Sequence, residues 1–185
     1  MGVHREVSRR AVFLDRDGVL NAAVVRGGKP FPPASVDEVA LLPGVPEALA
    51  RLREAGFVLL VATNQPDVAR GAQTREAVEA IHAHMLATLP LDAIYACFHD
   101  DVDHCACRKP LAGMLLAGAH AWDIDLPRSV MVGDRWRDIA AGVAAGCRTA
   151  FVDYGYDERQ PPVFDKRVTS LAEAAAWILE GERPT

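Results

Sequence analysis

Five apolar runs of strand length, separated by stretches with helical patterning, constrain this chain more than any other feature. The runs occupy residues 11–14, 57–62, 93–96, 129–132 and 149–152. Helical patterns fall at 45–55, between Pro43-Gly44 and Gly56; at 74–89 behind a Thr cap; at 111–122 after Pro110; and at 136–145, ending at Gly146. A last helix is expected over 170–179, with Ser170 and Glu173 three residues on forming a capping box. Strands alternating with helices predict an α/β fold, a parallel sheet covered by helices. Two segments break the alternation. Residues 21–42 contain Gly27-Gly28-Lys29-Pro30 and Pro32-Pro33 and read as a loop or small flap. Residues 154–167 are polar with Pro161-Pro162 and read as a surface connection.

At 185 residues, half of them apolar, the chain is the size of one compact domain, and no linker or repeat divides 1–185. The apolar run at 57–62 is six residues long, far short of the ~20 that a membrane-spanning helix needs. The first residues, Met1 to Glu6, hold no apolar run before a small-residue cleavage site, so a cytoplasmic protein is expected. Twenty Lys and Arg against twenty-five Asp and Glu give a net charge of −5, which offers no general attraction to nucleic acid or anionic lipid. The expected partner is a small molecule, and the expected state is a monomer.

In open parallel sheets ligands gather at the carboxyl ends of the strands, so the residues that terminate the runs carry the functional signal. The first run ends in Asp15-Arg16-Asp17-Gly18, the second in Thr63-Asn64, the fourth in Gly133-Asp134. Each alone is also an ordinary turn or strand end; together they put three carboxylates and a hydroxyl on one edge. Continuing the strand's period-two alternation would point Asp15 and Asp17 the same way with Arg16 opposite. Two carboxylates facing one spot call for a cation, and hard oxygen ligands favour Mg²⁺, with Asp134 completing the site and Asp138 orienting a ligand or water. Lys109 supplies positive charge; Pro110 suits the first position of the next helix, which would leave Lys109 at that helix's positive end.

The four cysteines could form two disulfides, but three crowd into eleven positions. Cys97-x-His99 and Cys105-x-Cys107 offer four soft ligands, enough to close a tetrahedral structural Zn²⁺ site over 97–107. His104 is the rival of His99. Cys147 reads as core packing.

These residues resemble the haloacid dehalogenase superfamily. Asp15-Arg16-Asp17-Gly18-Val19-Leu20-Asn21, Thr63-Asn64-Gln65, Arg108-Lys109-Pro110 and Gly133-Asp134-Arg135-Trp136-Arg137-Asp138 match its four motifs in order, across positions 11 to 153. The resemblance implies a three-layer, Rossmann-like fold without a large cap. It also implies that Asp15 is the nucleophile and Asp17 the acid and base, with Thr63 and Lys109 holding the phosphoryl group. Mg²⁺ would be held by Asp15, the Asp17 backbone carbonyl and Asp134. The Cys/His loop directly before Arg108-Lys109-Pro110 is similar to the subgroup of heptose bisphosphate phosphatases and histidinol phosphatases. That implies a phosphorylated sugar as substrate, with loss of its 7-phosphate, and Asn64, Gln65, Arg70 and Arg108 as substrate-binding residues. Arg26 and Lys29 are weaker candidates, and Arg135 and Arg137 read as simply facing water. A histidinol-phosphate phosphatase is the alternative, favoured by a pocket richer in carboxylates than in arginines. A polynucleotide phosphatase would need a basic tract or an aromatic stacking series that the chain lacks. A non-catalytic zinc-stabilised binding module is the reading from another class.

Overall fold

A computed structural model describes residues 8–26 and 29–181, with side chains of 25–30 not described. The N-terminal reading at Met1 to Glu6 lies outside the described residues, as do the Arg26 and Lys29 side chains. The chain runs β1 (Ala11–Leu14), β2 (Val24–Arg26), β3 (Lys29–Phe31), α1 (Val45–Glu54), β4 (Val58–Asn64), α2 (Arg75–Thr88) and β5 (Ala93–Cys97). It continues with α3 (Gly113–Trp122), β6 (Val130–Gly133), α4 (Trp136–Ala145), β7 (Arg148–Val152), β8 (Lys166–Val168) and α5 (Leu171–Glu180). Six strands form one parallel sheet in the order β5-β4-β1-β6-β7-β8, and β2 and β3 form a separate antiparallel hairpin.

Four of the five apolar runs become the central strands β1, β4, β6 and β7 because they are buried on both faces, while the run at 93–96 becomes β5, a half-buried strand at the sheet edge. In β1, Val12 and Leu14 face a core shared with α1, α2 and α5, while Ala11 and Phe13 face a second core shared with α3 and α4. The result is three layers, helix, sheet, helix, as expected. Cys147 packs in the second core. The predicted N-caps form, Thr74 Oγ1 accepting from the Ala77 amide and Ser170 Oγ from the Glu173 amide, but the capping box does not close, because Glu173 Oε2 accepts from the Thr169 amide, one residue before Ser170.

Two further expectations need correction. The polar 154–167 segment ends in a strand, β8, at the sheet edge. Its Lys166 and Arg167 are exposed and only Val168 is buried, a charged edge with no apolar run to announce it. The helix expected from residue 111 starts at Gly113, so Pro110 is not its first residue and Lys109 is not at its positive end. The physical reason is that Asn64 grips the Lys109 backbone from both sides, its Oδ1 accepting from the Lys109 amide and its Nδ2 donating to the Lys109 carbonyl, each at 3.0 Å. The Lys109–Pro110 peptide is cis, and a turn closed by the Leu111 amide on the Arg108 carbonyl precedes the helix.

The chain leaves β1 to β4 on one side and returns to β6 on the other. This reversal opens a crevice at the carboxyl ends of β1, β4 and β6. No helix among the described residues is long and apolar enough to cross a membrane.

Candidate active site

A cleft of about 830 Å³ lies at that crevice. Thirteen of its twenty-two lining residues are charged, so it is built to recognise charge rather than apolar surface. On its floor, carboxylate oxygens of Asp15, Asp134 and Asp138 lie within 4.8 Å of one another. Two glycines permit this crowding. Gly18, at φ +85°, leaves the space where a Cβ would come within 2.1 Å of Asp134 Oδ2; at Gly133 a Cβ would come within 2.1 Å of the Asp138 Cβ.

One buried ammonium pairs with two of the three carboxylates, and the charge of Arg135 acts on the third, Asp134. Lys109 Nζ, 1% exposed as a residue, donates to Asp15 Oδ1 at 2.9 Å and to the Ala62 carbonyl at 2.7 Å, and pairs with Asp138 Oδ1 at 2.6 Å. Burial pushes its pKa down, but Asp138 and Asp15 outweigh burial and hold it above the usual lysine value. Burial pushes Asp15 up to about 6, helped by Asp138 and opposed by Lys109. Burial, then Asp138 and Asp15, raise Asp134 well above the usual carboxylate range. Asp134 Oδ1 is buried without a hydrogen-bond partner. Three carboxylates, one ammonium and an unsatisfied carboxylate oxygen fit a hard divalent cation.

Asp17 does not sit as the alternation predicts. The strand ends at Leu14, so period two does not continue, and Arg16 is not opposite. Its fully buried guanidinium meets the Asp17 carboxylate at 2.9 to 3.2 Å. Asn21 and Gln65 each donate to the same carboxylate at 2.9 Å. Burial would raise the Asp17 pKa, but Arg16's charge and these hydrogen bonds lower it, keeping Asp17 ionised. Arg16 also donates to Gln65 Oε1 and contacts His82 Nε2 at 3.1 Å. The burial of the guanidinium and of His82 was not legible from a strand-end motif.

At the end of β4, Thr63 is buried, and its Oγ1 accepts from Gln65 Nε2 at 2.9 Å. Asn64 and Gln65 line the cleft, but their side chains orient Lys109 and Asp17. At the rim, Arg70 pairs with Asp100 and Asp67, and Arg108 with Asp101. Arg135 and Arg137 do not simply face water. Both line the cleft, Arg135 paired with Glu158 and Arg137 with Asp101. Sequence reasoning missed Asp100, Asp101, Tyr156 and Glu158. The first two stood in the open as an acidic pair between cysteines; the others lie in the stretch read as surface connection.

Next to the rim, Cys97, His99, Cys105 and Cys107 converge within 4.8 Å. Sulfur separations are 3.1, 3.4 and 3.6 Å, and His99 Nδ1 lies 3.4 Å from Cys107 and 3.6 Å from Cys97. These exceed the ~2.05 Å of a disulfide and approach the ~3.8 Å edge of a tetrahedral zinc–thiolate site. His104 is outside the cluster.

A model of haloacid dehalogenase-like hydrolases matches residues 29–146. The chain belongs to this family of hydrolases. It is 40% identical over 154 residues to the D-glycero-beta-D-manno-heptose-1,7-bisphosphate 7-phosphatase of Bordetella bronchiseptica, covering 79% of this chain and 82% of that one. It is 37% identical over 183 residues to the enzyme of the same name from Escherichia coli, covering 91% and 87%. Its structure superposes with a TM-score of 0.79, at 36% identity, on the D,D-heptose 1,7-bisphosphate phosphatase of B. bronchiseptica complexed with magnesium and phosphate, covering 93% of this chain and 99% of that chain.

Proposed function

We propose that this haloacid dehalogenase-like hydrolase, working as one domain over 1–185, removes the 7-phosphate of D-glycero-D-manno-heptose 1,7-bisphosphate with Mg²⁺. The observation that carries the chemistry is the buried Lys109 ammonium 2.9 Å from Asp15, on a floor with two further carboxylates. The substrate is read from relatives that carry this activity in their names. Away from Asp15, Asp17, Asp134 and Asp138, four carboxylates (Asp67, Asp101, Asp157, Glu158) and four arginines (Arg70, Arg108, Arg135, Arg137) line the cleft, so charge count alone favours neither a bisphosphate nor histidinol phosphate.

Asp15, the Asp17 backbone carbonyl and Asp134 would hold Mg²⁺, which when bound neutralises phosphoryl oxygens. An Asp15 carboxylate oxygen attacks phosphorus, the bond from phosphorus to the C7 oxygen breaks, and Asp17 gives that oxygen its proton. Asp17 then takes a proton from water, whose oxygen attacks the same phosphorus and frees phosphate and Asp15. The Arg16 pair keeps the resting Asp17 in the form that accepts a proton; as donor it must first leave Arg16. Thr63 accepts from Gln65, which leaves its own proton for a phosphoryl oxygen, and Lys109 offsets the charge of the transition state. Arg108 and Arg70 stand at the rim for the substrate's remaining charge.

The test is Mg²⁺-dependent phosphate release from the α and β anomers of the heptose bisphosphate beside histidinol phosphate. A kcat/KM at least about tenfold higher for a heptose bisphosphate, at ~10⁴ M⁻¹s⁻¹ or above, is expected. Preference for histidinol phosphate overturns the substrate and keeps the Asp15 chemistry.

The Cys97, His99, Cys105 and Cys107 cluster fits a closed structural Zn²⁺ site that braces the segment leading into Arg108 and Lys109. Stripping zinc, verified by metal analysis, is expected to raise hydrogen exchange across 97–107 and lower kcat/KM by about 10-fold to 100-fold through misplaced rim groups. Unchanged exchange and kinetics after verified loss would contradict a bracing role.

A further inference from the structure

Asp101 is held by two guanidinium groups at once. Its Oδ1 accepts from Arg108 Nε at 2.8 Å and from Arg137 Nη1 at 2.9 Å, and its Oδ2 accepts from Arg137 Nη2 at 3.1 Å. This is the geometry with which arginine forks take a carboxylate or a phosphate.

The three partners are unequally fixed. The Arg108 side chain is 10% exposed and donates to the His99 carbonyl at 3.2 Å. Arg137 reaches the Lys109 carbonyl at 3.4 Å and packs over the Trp136 ring at 5.0 Å. The Asp101 side chain is 55% exposed, on a short 3-10 turn (Asp101–Asp103) between His99 and Cys105. Arg108 is built into the wall and Arg137 is 31% exposed, while Asp101, the most exposed of the three, has water to turn into once its partners are taken by another anion. All three line the cleft whose floor holds Asp15, and Arg108 adjoins Lys109 in the chain, so both guanidinium groups border the space that a substrate held at Asp15 would fill.

We propose that Arg137 and Arg108 together form a clamp for the phosphate that is not cleaved, and that Asp101 occupies the clamp until a phosphate displaces it. This rests on the bisphosphate reading and deepens it. Arg137 is a specificity-determining residue, and Asp101 is an internal competitor. A substrate with one phosphate leaves Asp101 in place and gains nothing from the clamp. A substrate with a second phosphate exchanges a monovalent carboxylate for a more highly charged dianion.

The experiment uses the full chain with Mg²⁺ and reads the clamp by inhibition of p-nitrophenyl phosphate hydrolysis, with mannose 1,6-bisphosphate as the two-phosphate competitor and mannose 6-phosphate as the one-phosphate control, whose constant should not move. Arg137→Gln is expected to raise the inhibition constant of the bisphosphate about tenfold, the loss of one charged fork. Asp101→Asn, which keeps the shape and removes the competing charge, is expected to lower it about fivefold, by the same scale of charged hydrogen bonds. The ratio of kcat/KM for heptose 1,7-bisphosphate to that for p-nitrophenyl phosphate should fall in Arg137→Gln and rise in Asp101→Asn. If Asp101→Asn raises the inhibition constant, Asp101 is a brace that orders the arginines and the displacement idea is overturned. If the constant is the same in all three proteins, there is no clamp. A wild-type protein that ignores heptose bisphosphate overturns the proposed function, while the inhibition constants still decide the clamp.

Discussion

Asp15→Asn is expected to keep the fold and to lose phosphate release, with kcat down by about 10⁴-fold or more, the scale seen when a covalent nucleophile is removed. Thermal unfolding checks the first half and phosphate release the second. Burial raises the Asp15 pKa to about 6 in the folded chain, above the ordinary aspartate value. A carboxyl raised in this way contributes stability that is complete below its unfolded value and is lost as pH rises through about 6. The metal-free variant should therefore melt above the metal-free wild type at pH 7.5, and the gain should vanish near pH 4. Added Mg²⁺ should raise the wild-type melting temperature more at pH 7.5 than at pH 5. Near-normal turnover in the variant would remove Asp15 from the role of nucleophile.

Lys109→Met is expected to damage both folding and chemistry. The side chain is the ammonium shared by Asp15 and Asp138, and its loss leaves both carboxylates crowded beside Asp134 without the cation that pairs them. Breaking a buried pair from one side costs about 3 to 5 kcal/mol, so the metal-free variant should melt far below the wild type. Mg²⁺ should recover part of that loss, because it neutralises the same carboxylates. Activity should remain lower by about 10²-fold or more even with saturating Mg²⁺, since transition-state charge has lost a fixed partner. A variant with an unchanged melting temperature without metal would show that the three carboxylates share a proton rather than a cation.

The centre of the sheet was legible because β1, β4, β6 and β7 are buried on both faces and therefore read as unbroken apolar runs, and β1 matches the expected residues end to end. The reaction floor was legible because Asp15 and Asp134 directly follow such runs. Legibility failed where tertiary contacts override local pattern. Arg16 turns toward Asp17 because the strand stops at Leu14; the alternation rule has nothing to act on beyond it. Lys109 reaches Asp15 through a backbone held by Asn64, forty-five residues earlier, and not through a helix start. The pairing of Asp101 with Arg137, thirty-six residues apart, leaves no mark on either segment alone. β8 shows one buried residue and two exposed cations, too little apolar sequence to announce a strand.

Among the described residues, the long segment after β1 brings Ala23, Phe31 and Pro32 to the cleft, on and beside the small hairpin of β2 and β3, and no large cap covers the opening. Such an opening cannot act as a mould for the whole sugar. What remains fixed is the span from the carboxylate floor to the arginines at the rim, and that span works as a ruler. A ligand is measured by how far apart it carries its two anionic ends, while hydroxyl groups between them can stay wet. Lengthening or shortening the sugar by one carbon should then matter more than inverting a hydroxyl along it.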